Sequence, residues 1–266
     1  MKKIFVLLLA LSTTGCANYF LKRDCESTNW FEHGQKVAQS GKWLNADKKV
    51  MDCRRVEAEI QESQLDQGFK SGVQKYCNND GAYLVGKGGD IFSRDLCEGP
   101  QINVLLQNYK KGIHEYCAKT NGQNAGSSGK KYQGVCPKEL EPAFLTEYRI
   151  GRKRYISAVI ENKKDRLRTI ENSLSTAQGS LSAEERHLTT LRMVEASLQN
   201  QVNATSLQNT AFRSSLETQL NTAKANTNDQ QSRVSRTRSE ISSYESQRDS
   251  LTTEIGELRT ELATLD

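Results

Sequence analysis

The chain has 266 residues, a formal net charge of +5 and 36% hydrophobic residues, and its length allows one or two domains. Fifteen of its 18 aromatic residues lie within 17–159 and fifteen of its 18 glycines within 34–151, so the composition changes near residue 150. The excess positive charge forms no dense basic block, which argues against nucleic acid as a partner.

The N-terminus predicts a secretory signal peptide over residues 1–15. Met1-Lys2-Lys3 is basic, and the apolar run 4–11 is far shorter than the about 20 residues that a membrane span needs. The small residues before Cys16 resemble a bacterial lipobox, in which this cysteine is diacylated and becomes the mature N-terminus. We therefore expect residues 16–23 to be a lipidated N-terminus and tether that binds the membrane through its acyl chains. The alternative is ordinary cleavage nearby, which would leave Cys16 as a plain thiol.

The residue after Cys16 indicates the membrane. Ala17 stands where aspartate would retain a lipoprotein at the inner membrane, so the usual sorting rule points to the outer membrane of a Gram-negative cell. No later apolar segment is long enough to span a bilayer. We expect a lipid-anchored protein whose body faces the periplasm.

The cysteine count favours lipidation. Seven cysteines are an odd number, and an unpaired thiol in an oxidising compartment needs an explanation. If Cys16 is acylated, six cysteines remain, all in the aromatic-rich part of the chain: Cys25, Cys53, Cys77, Cys97, Cys117 and Cys136. A zinc site is the rival interpretation, and it is weak because the sequence has no Cys-x-x-Cys pair.

A segment of about 30 residues is repeated with a period of 40. The run Gly72 to Cys77 matches Gly112 to Cys117, and glycines, an aromatic residue and a second cysteine follow each run at similar spacing. Apolar positions at i, i+4 and i+7 predict that each aromatic-x-x-Gly-x-x-x-Tyr-Cys run is a short helix. Its central glycine predicts close approach to another helix. The Gly-rich segments 78–89 and 118–129 are predicted to be loops.

The duplication favours one disulfide pairing among the fifteen that six cysteines allow. Pairing within each copy joins Cys77 to Cys97 and Cys117 to Cys136, and leaves Cys25 for Cys53. If each copy contains its own disulfide, duplicating the unit leaves no cysteine without a partner. Each closed loop of about 20 residues would contribute roughly 3 kcal/mol to the free energy of unfolding.

The repeat region resembles a known family. The run Tyr132 to Pro137, the opening Asp24-Cys25 and the closing Phe144 to Gly151 are similar to the YfiL-like proteobacterial lipoproteins, catalogued as domain of unknown function 2799. The resemblance covers about residues 24–155 and implies a lipoprotein with a Cys-rich fold. It transfers no catalytic residue, because the family has no assigned activity. The tandem unit, the polar C-terminal part and Val37-Ala38, where an Asp-Gly pair is usual, depart from the family pattern.

The polar C-terminal part, residues 156–266, is predicted to be a coiled coil. Apolar residues recur every seven positions from Ile160 to Leu265, with a companion column three residues on that shifts to four near the C-terminus. Four polar residues in the columns should weaken packing and fix the register: Glu195, Asn209, Gln230 and Arg248.

The coiled coil has two predicted break points. Gly179, followed by the capping box Ser182-x-x-Glu185, could end a helix, and the segment 221–229 is poor in apolar residues. One unbroken helix would be roughly 190 Å long, whereas folding back would give a helical hairpin or bundle. The narrow apolar stripe implies a partner helix, and self-association is the leading interpretation. A poorly packed spacer helix is the alternative.

No catalytic, cofactor-binding or metal-binding residues are predicted. His33, His114 and His187 are isolated, and no zinc-protease, nucleophile-elbow or Walker motif occurs. We expect a mainly α protein with a disulfide-rich helical domain (24–155) and a coiled coil (156–266), and a non-enzymatic structural or interaction role in the envelope. Its partner would be a second copy or another envelope protein. The alternative is an envelope-polymer binder or enzyme activator, with peptidoglycan sugars stacked on aromatic residues predicted to be exposed: Trp43, Tyr83 and Tyr132.

Overall fold

The computed structural model describes residues 18–265, and these contain helices and no strand, with 81% helix overall. The mainly α fold class is therefore confirmed. Within this described range, nine α-helices follow in chain order, with short 3-10 turns at Leu44–Ala46 and Arg94–Leu96. They are α1 (18–26), α2 (Trp30–Gln39), α3 (Lys48–Arg55), α4 (Glu62–Tyr76), α5 (Asn79–Lys87), α6 (Ile102–Tyr116), α7 (Lys119–Ser127), α8 (Glu141–Ala204) and α9 (Thr210–Thr264).

The chain divides into two compact units, and the boundary falls inside α8 between Tyr155 and Ile156. The first is called the disulfide unit below, and the second is called the hairpin unit. The signal peptide predicted over 1–15 and the lipidation predicted at Cys16 lie outside the described residues. Residues 18–23 of the predicted tether are helical and belong to α1. No helix within residues 18–265 combines the length and the apolar character that crossing a bilayer requires.

The disulfide unit contains three helix pairs that cross at glycines: α2 with α4, α5 with α6, and α7 with the start of α8. In the second pair, a Cβ atom added to Gly112 would lie 2.1 Å from the Tyr83 carbonyl oxygen, and one added to Gly86 would lie 2.2 Å from that of Tyr109. The third pair repeats this contact: a Cβ atom added to Gly126 would lie 2.1 Å from the Tyr148 carbonyl oxygen, and one added to Gly151 would lie 2.0 Å from that of Gln123. The close approach predicted from the central glycines is confirmed.

The first pair is a third, longer copy of this arrangement. Gly72 on α4 packs against Ala38 and Gln35 of α2, in the way that Gly112 packs against Gly86 and Tyr83. Gly34 and Gly68 add a second close crossing one turn away. The aromatic-x-x-Gly spacing of the repeated runs also occurs at Phe31-x-x-Gly34, on the first helix of its pair, and at Tyr148-x-x-Gly151, on the second helix of its own.

The loops predicted over 78–89 and 118–129 are wrong, because most of each segment is helix α5 or α7. Each glycine in a helix interior costs about 1 kcal/mol relative to alanine. Here the glycines allow the two helix backbones to pack closely, and burial of Ala82 and Leu105 stabilises the packed helices. The Asn78 side chain also accepts a hydrogen bond from the Gly81 amide at 2.8 Å and caps α5.

Each helix pair carries one disulfide. Cys25 pairs with Cys53, Cys77 with Cys97, and Cys117 with Cys136, with Cα–Cα distances of 5.7, 5.3 and 5.6 Å. This is the pairing that the duplication favoured. The bonds close loops with sequence separations of 28, 20 and 19 residues, and each bond joins the segment before the first helix to the segment before the second.

The hairpin unit folds back at residues 205–209, between α8 and α9. Both predicted break points are wrong: α8 continues through Gly179, and α9 continues through residues 221–229. Contacts pair the chain in antiparallel order, since Arg192 lies 2.6 Å from Gln231 and Glu185 lies 2.6 Å from Arg238. The partner helix that the apolar stripe requires is therefore supplied by the same chain.

Candidate functional site

A tyrosine closes the end of each helix pair in the disulfide unit. Tyr76, Tyr116 and Tyr155 lie over Gly41, Gly89 and Gly129, whose φ angles are 73°, 69° and 83°. A Cβ atom at Gly89 would approach the Tyr116 ring to 2.2 Å. Only glycine combines a left-handed backbone with this absence of a side chain.

The second and third helix pairs are joined by Asp90 and Lys130, which occupy the same position after these glycines. The Lys130 ammonium lies 2.6 Å from the Asp90 carboxylate and donates to the Gly88 carbonyl at 2.5 Å. Tyr109 in turn donates to the Asp90 carbonyl oxygen at 3.0 Å. Asp90 is therefore part of the packing between repeats and is already paired with a lysine.

An exposed polar cluster links the helices of the second pair. Tyr83 donates to Glu115 at 2.8 Å, and Lys87 lies 3.3 Å from the same carboxylate. The hydrogen bond from Tyr83, followed by that from Lys87, lowers the pKa of Glu115. Lys87 also donates to the Tyr83 hydroxyl, and this bond, followed by the contact with Glu115, raises the pKa of Lys87. Both charged forms are stabilised at neutral pH, so neither group is poised to exchange a proton in catalysis.

The aromatic residues predicted to stack on sugars do not form one surface. Trp43 is 45% exposed, and its ring contacts Phe69. Tyr83 is half-buried and its hydroxyl is bonded to Glu115. The predicted exposure is therefore wrong for both Tyr83 and Tyr132, which are half-buried. The Tyr132 ring packs among aromatic neighbours, and its hydroxyl donates to Glu141 and accepts from the Cys136 amide.

Burial governs the two most perturbed tyrosines. It raises the pKa of Tyr116 to about 12, with further contributions from nearby tyrosines. It also raises the pKa of Tyr132 to about 12, helped by the hydrogen bond to Glu141. The Tyr116 hydroxyl is buried without a hydrogen-bond partner among the described residues. These rings belong to the core and stay neutral at physiological pH.

The three histidines remain separate. His114 and His187 are exposed on helices, whereas His33 lies 2.8 Å from Asp47. Burial opposes ionisation of Asp47, but hydrogen bonds from the Val50 amide and from His33 outweigh it and lower the pKa of that carboxyl. The Asp47 carboxylate also caps α3. Within the part of the chain that the structure describes, no group of three or more His, Cys, Asp or Glu residues could hold a metal ion.

The seam of the hairpin unit keeps a regular alternation of three and four residues on both helices. Its buried members on α9 include Leu216, Leu220, Val234, Leu251 and Ile255. The companion column changes from three to four across the 205–209 turn, where the chain reverses. The heptad prediction is thus confirmed on each helix separately.

Polar residues in the seam are bonded across it. Gln230 is 7% exposed, and its side-chain amide donates to the Glu184 carbonyl at 3.1 Å. Thr237 donates to the Glu184 carboxylate at 2.8 Å, and Lys163 pairs with Glu254 farther along. Asn209, predicted to occupy a seam column, is instead the exposed residue that precedes α9. Such polar layers fix the register of two helices at a cost in stability.

Among the described residues of the hairpin unit, exposed large hydrophobic side chains occur only towards the end with the turn. Its exposed large hydrophobic residues are Met193, Val194, Leu207 and Phe212, with exposed fractions of 67, 47, 76 and 54%. At about 1.5 Å per residue, the first two lie within roughly 20 Å of the turn. The faces away from this end carry charged and hydroxyl side chains, so this end is the surface of the hairpin unit best suited to bind another protein.

Comparison with known proteins identifies the disulfide unit. Residues 29–113 match the model of a family described as Protein of unknown function (DUF2799), and residues 97–153 match it a second time. The chain belongs to this family through its disulfide unit. The two DUF2799 matches overlap on α6, as expected if neighbouring helix pairs are equivalent. No curated protein and no solved structure matches the chain.

The sequence left two features of this DUF2799 chain unrecognised. The first is that α2 and α4 form a further copy of the repeated helix pair, whose signal was the remaining pair Cys25 and Cys53. A four-residue difference in spacing hid it: Cys25 precedes Gly34 by nine residues, whereas Cys77 precedes Ala82 by five. The second is the apolar end of the hairpin unit, because the turn there contains neither glycine nor proline.

Proposed function

We propose that the protein is a non-enzymatic outer-membrane lipoprotein that binds a protein partner in the periplasm through its hairpin unit. The disulfide unit would lie next to the anchor, and the hairpin unit would present its apolar end to the partner. The partner is a second copy of the chain or another envelope protein.

Two observations support the anchor and the compartment. The three disulfides use six of the seven cysteines, and the seventh is Cys16, which follows a basic start, an apolar run and small residues. Disulfides of this kind persist in oxidising compartments such as the bacterial periplasm. A diacylated cysteine would hold the chain there at a membrane surface.

The observation that carries the interaction role is the exposed apolar end of the hairpin unit. The seam of α8 and α9 already buries its apolar columns within one chain, so the seam itself needs no further helix. Leu207 and Phe212, at the turn, have no such cover. Exposed apolar side chains grouped on an otherwise polar element are typical of a protein-binding surface.

The experiment compares the wild-type chain with a Leu207→Ser/Phe212→Ser variant. Crosslinking in intact cells, followed by mass spectrometry, should give a specific adduct that the variant loses. The matched control is Leu84→Ser/Ile91→Ser, which removes two residues of similar exposure, 62 and 64%, from the disulfide unit. The control should keep the adduct.

Light scattering on the purified protein then identifies the partner. A dimer that the hairpin variant abolishes would show a second copy, whereas a monomer with an adduct of different sequence would show another envelope protein. Equal crosslinking by all three chains would refute the proposal. Retention on purified peptidoglycan without any protein adduct would favour an envelope-polymer binder instead.

A further inference from the structure

Helix α1 has one face fixed in the core of the disulfide unit. Leu21 packs against the cluster that contains Trp30 and Val50, and Cys25 is fully buried in that cluster and bonded to Cys53. Asp24 also pairs with Lys49 at 3.1 Å. The helix is therefore part of the folded body, and its orientation on that body is set.

The opposite face of α1 is aromatic and basic. At about 100° per residue, Arg23 lies opposite the stripe formed by Leu21 and Cys25, with Tyr19 and Phe20 on either side of it. Tyr19 is 65% exposed and Phe20 is 68% exposed, and their ring centroids lie 5.9 Å apart. The rings thus contact each other and leave most of their surface uncovered.

The charges of this face are arranged along the helix. Lys22 and Arg23 are exposed, and neither forms an ion pair with any residue of the described range 18–265. Asp24 is neutralised by Lys49. Glu26 is also exposed, but it lies about 10 Å along the helix from Tyr19, on the side away from Cys16. The end of α1 nearest Cys16 therefore combines aromatic rings with unpaired positive charge.

The short chain distance between Cys16 and Tyr19 determines which layer of a membrane the exposed face of α1 would contact. Tyr19 is three residues from Cys16, so the chain between them spans at most about 11 Å. The headgroup layer of a bilayer is about 5–8 Å thick on each side. Acyl chains on Cys16 would place this residue at the inner boundary of that layer, and the exposed rings would lie in or directly above it.

We infer that the Tyr19, Phe20, Lys22 and Arg23 face of α1 lies in the phospholipid headgroup layer and holds the disulfide unit against the membrane. Tyrosine concentrates at the membrane–water interface, where its apolar ring and its polar hydroxyl are both accommodated, and phenylalanine is typical of the apolar face of interfacial helices. Lysine and arginine add attraction to anionic headgroups, about fivefold in binding for each residue near the surface. This inference rests on the proposed acylation of Cys16.

The test uses the full-length chain, purified with its acyl chains and reconstituted into vesicles of phosphatidylethanolamine and phosphatidylglycerol. A Phe20→Trp variant places a fluorophore on the α1 face, and wild-type protein supplies the background from Trp30 and Trp43. We expect brominated acyl chains to quench the added emission and vesicles to shift it to the blue. The matched control, Leu84→Trp, replaces an apolar residue of similar exposure in the same unit and should not be quenched.

The outcomes separate this inference from the anchor. Absence of quenching in a sample whose intact mass includes the acyl chains would overturn the inference and leave the anchor standing. Equal quenching of Phe20→Trp and Leu84→Trp would also overturn it. A sample without acyl mass would remove the proposed anchor and this inference together. If Phe20→Trp does not fold, Tyr19→Trp probes the same face, and far-ultraviolet circular dichroism checks both variants.

Discussion

Substituting alanine for Gly112 should destabilise the disulfide unit, although alanine favours a helix. Intrinsic propensity alone would make Gly112→Ala stabilising by about 1 kcal/mol. In the structure, however, the new Cβ atom would lie 2.1 Å from the Tyr83 carbonyl oxygen and 2.6 Å from the Lys87 amide nitrogen. Both are backbone atoms, so α5 and α6 must separate by about 1 Å.

Separating α5 from α6 weakens side-chain packing along the whole crossing, including that of the buried residues Ala82 and Leu105. Overpacking a core typically costs 1–3 kcal/mol, and backbone contacts lie at the upper end. After the gain in propensity is subtracted, we expect a net loss of about 2 kcal/mol in the free energy of unfolding. For a unit of this size, the melting temperature should fall by roughly 8 °C.

Gly179→Ala is the matched control, because Gly179 also lies inside a helix but has nothing within 4 Å of the added Cβ atom. It should stabilise the hairpin unit by about 0.5–1 kcal/mol. Thermal unfolding with intact disulfides measures both variants. Tryptophan fluorescence follows the disulfide unit, which contains both tryptophans, and circular dichroism at 222 nm follows all helices. If Gly112→Ala stabilises its unit as Gly179→Ala does, the glycine crossing is refuted.

Three further predictions concern a disulfide, a carboxylate and the seam. Replacing Cys117 and Cys136 by alanine should lower the free energy of unfolding by about 3 kcal/mol, because the bond that restricts the unfolded chain over a separation of 19 residues is lost. An unchanged denaturation midpoint would contradict this expectation. Asp47→Asn should lower the melting temperature at pH 7, because the lowered pKa of Asp47 stabilises the fold while the carboxylate is charged. This contribution is lost as pH falls through the folded-state pKa, so the variant should match wild type near pH 2. A difference in melting temperature that persists in acid would argue against this role of Asp47. Gln230→Leu should raise the hairpin melting temperature by a few degrees, because an apolar seam packs better than a buried amide bonded to Glu184; a lower melting temperature would show that this bond contributes more than packing.

The repeat allowed much of the disulfide unit to be predicted. Apolar spacing located α4 and α6, and the duplication favoured the disulfide pairing that the structure contains. Helices α5 and α7 could not be found in this way, because glycine disfavours a helix locally while the same glycine permits a close tertiary contact. Only the partner helix distinguishes Gly86 in a helix from Gly86 in a loop. Tertiary packing here outweighs local propensity.

The hairpin shows the same limit for a turn. Heptad spacing predicted a coiled coil over 156–266, but residues 205–209 contain no glycine or proline to mark the reversal. Gly179 carries the stronger local signal and is nevertheless helical, because seam contacts continue on both sides of it. The sequence also could not predict exposure: Tyr132 is half-buried against the aromatic core, whereas Leu207 is 76% exposed. The exposure of the candidate interaction surface is therefore set by the tertiary structure and could not be predicted from the sequence.

The proposed function requires that Cys16 is acylated while the other six cysteines are bonded in three pairs. Intact-mass analysis of protein extracted from native membranes and alkylated without reductant tests both requirements in one measurement. We expect a mass that includes acyl chains and no alkylated cysteine. A mass without acyl groups, or alkylation of any of the six cysteines, would refute the proposal.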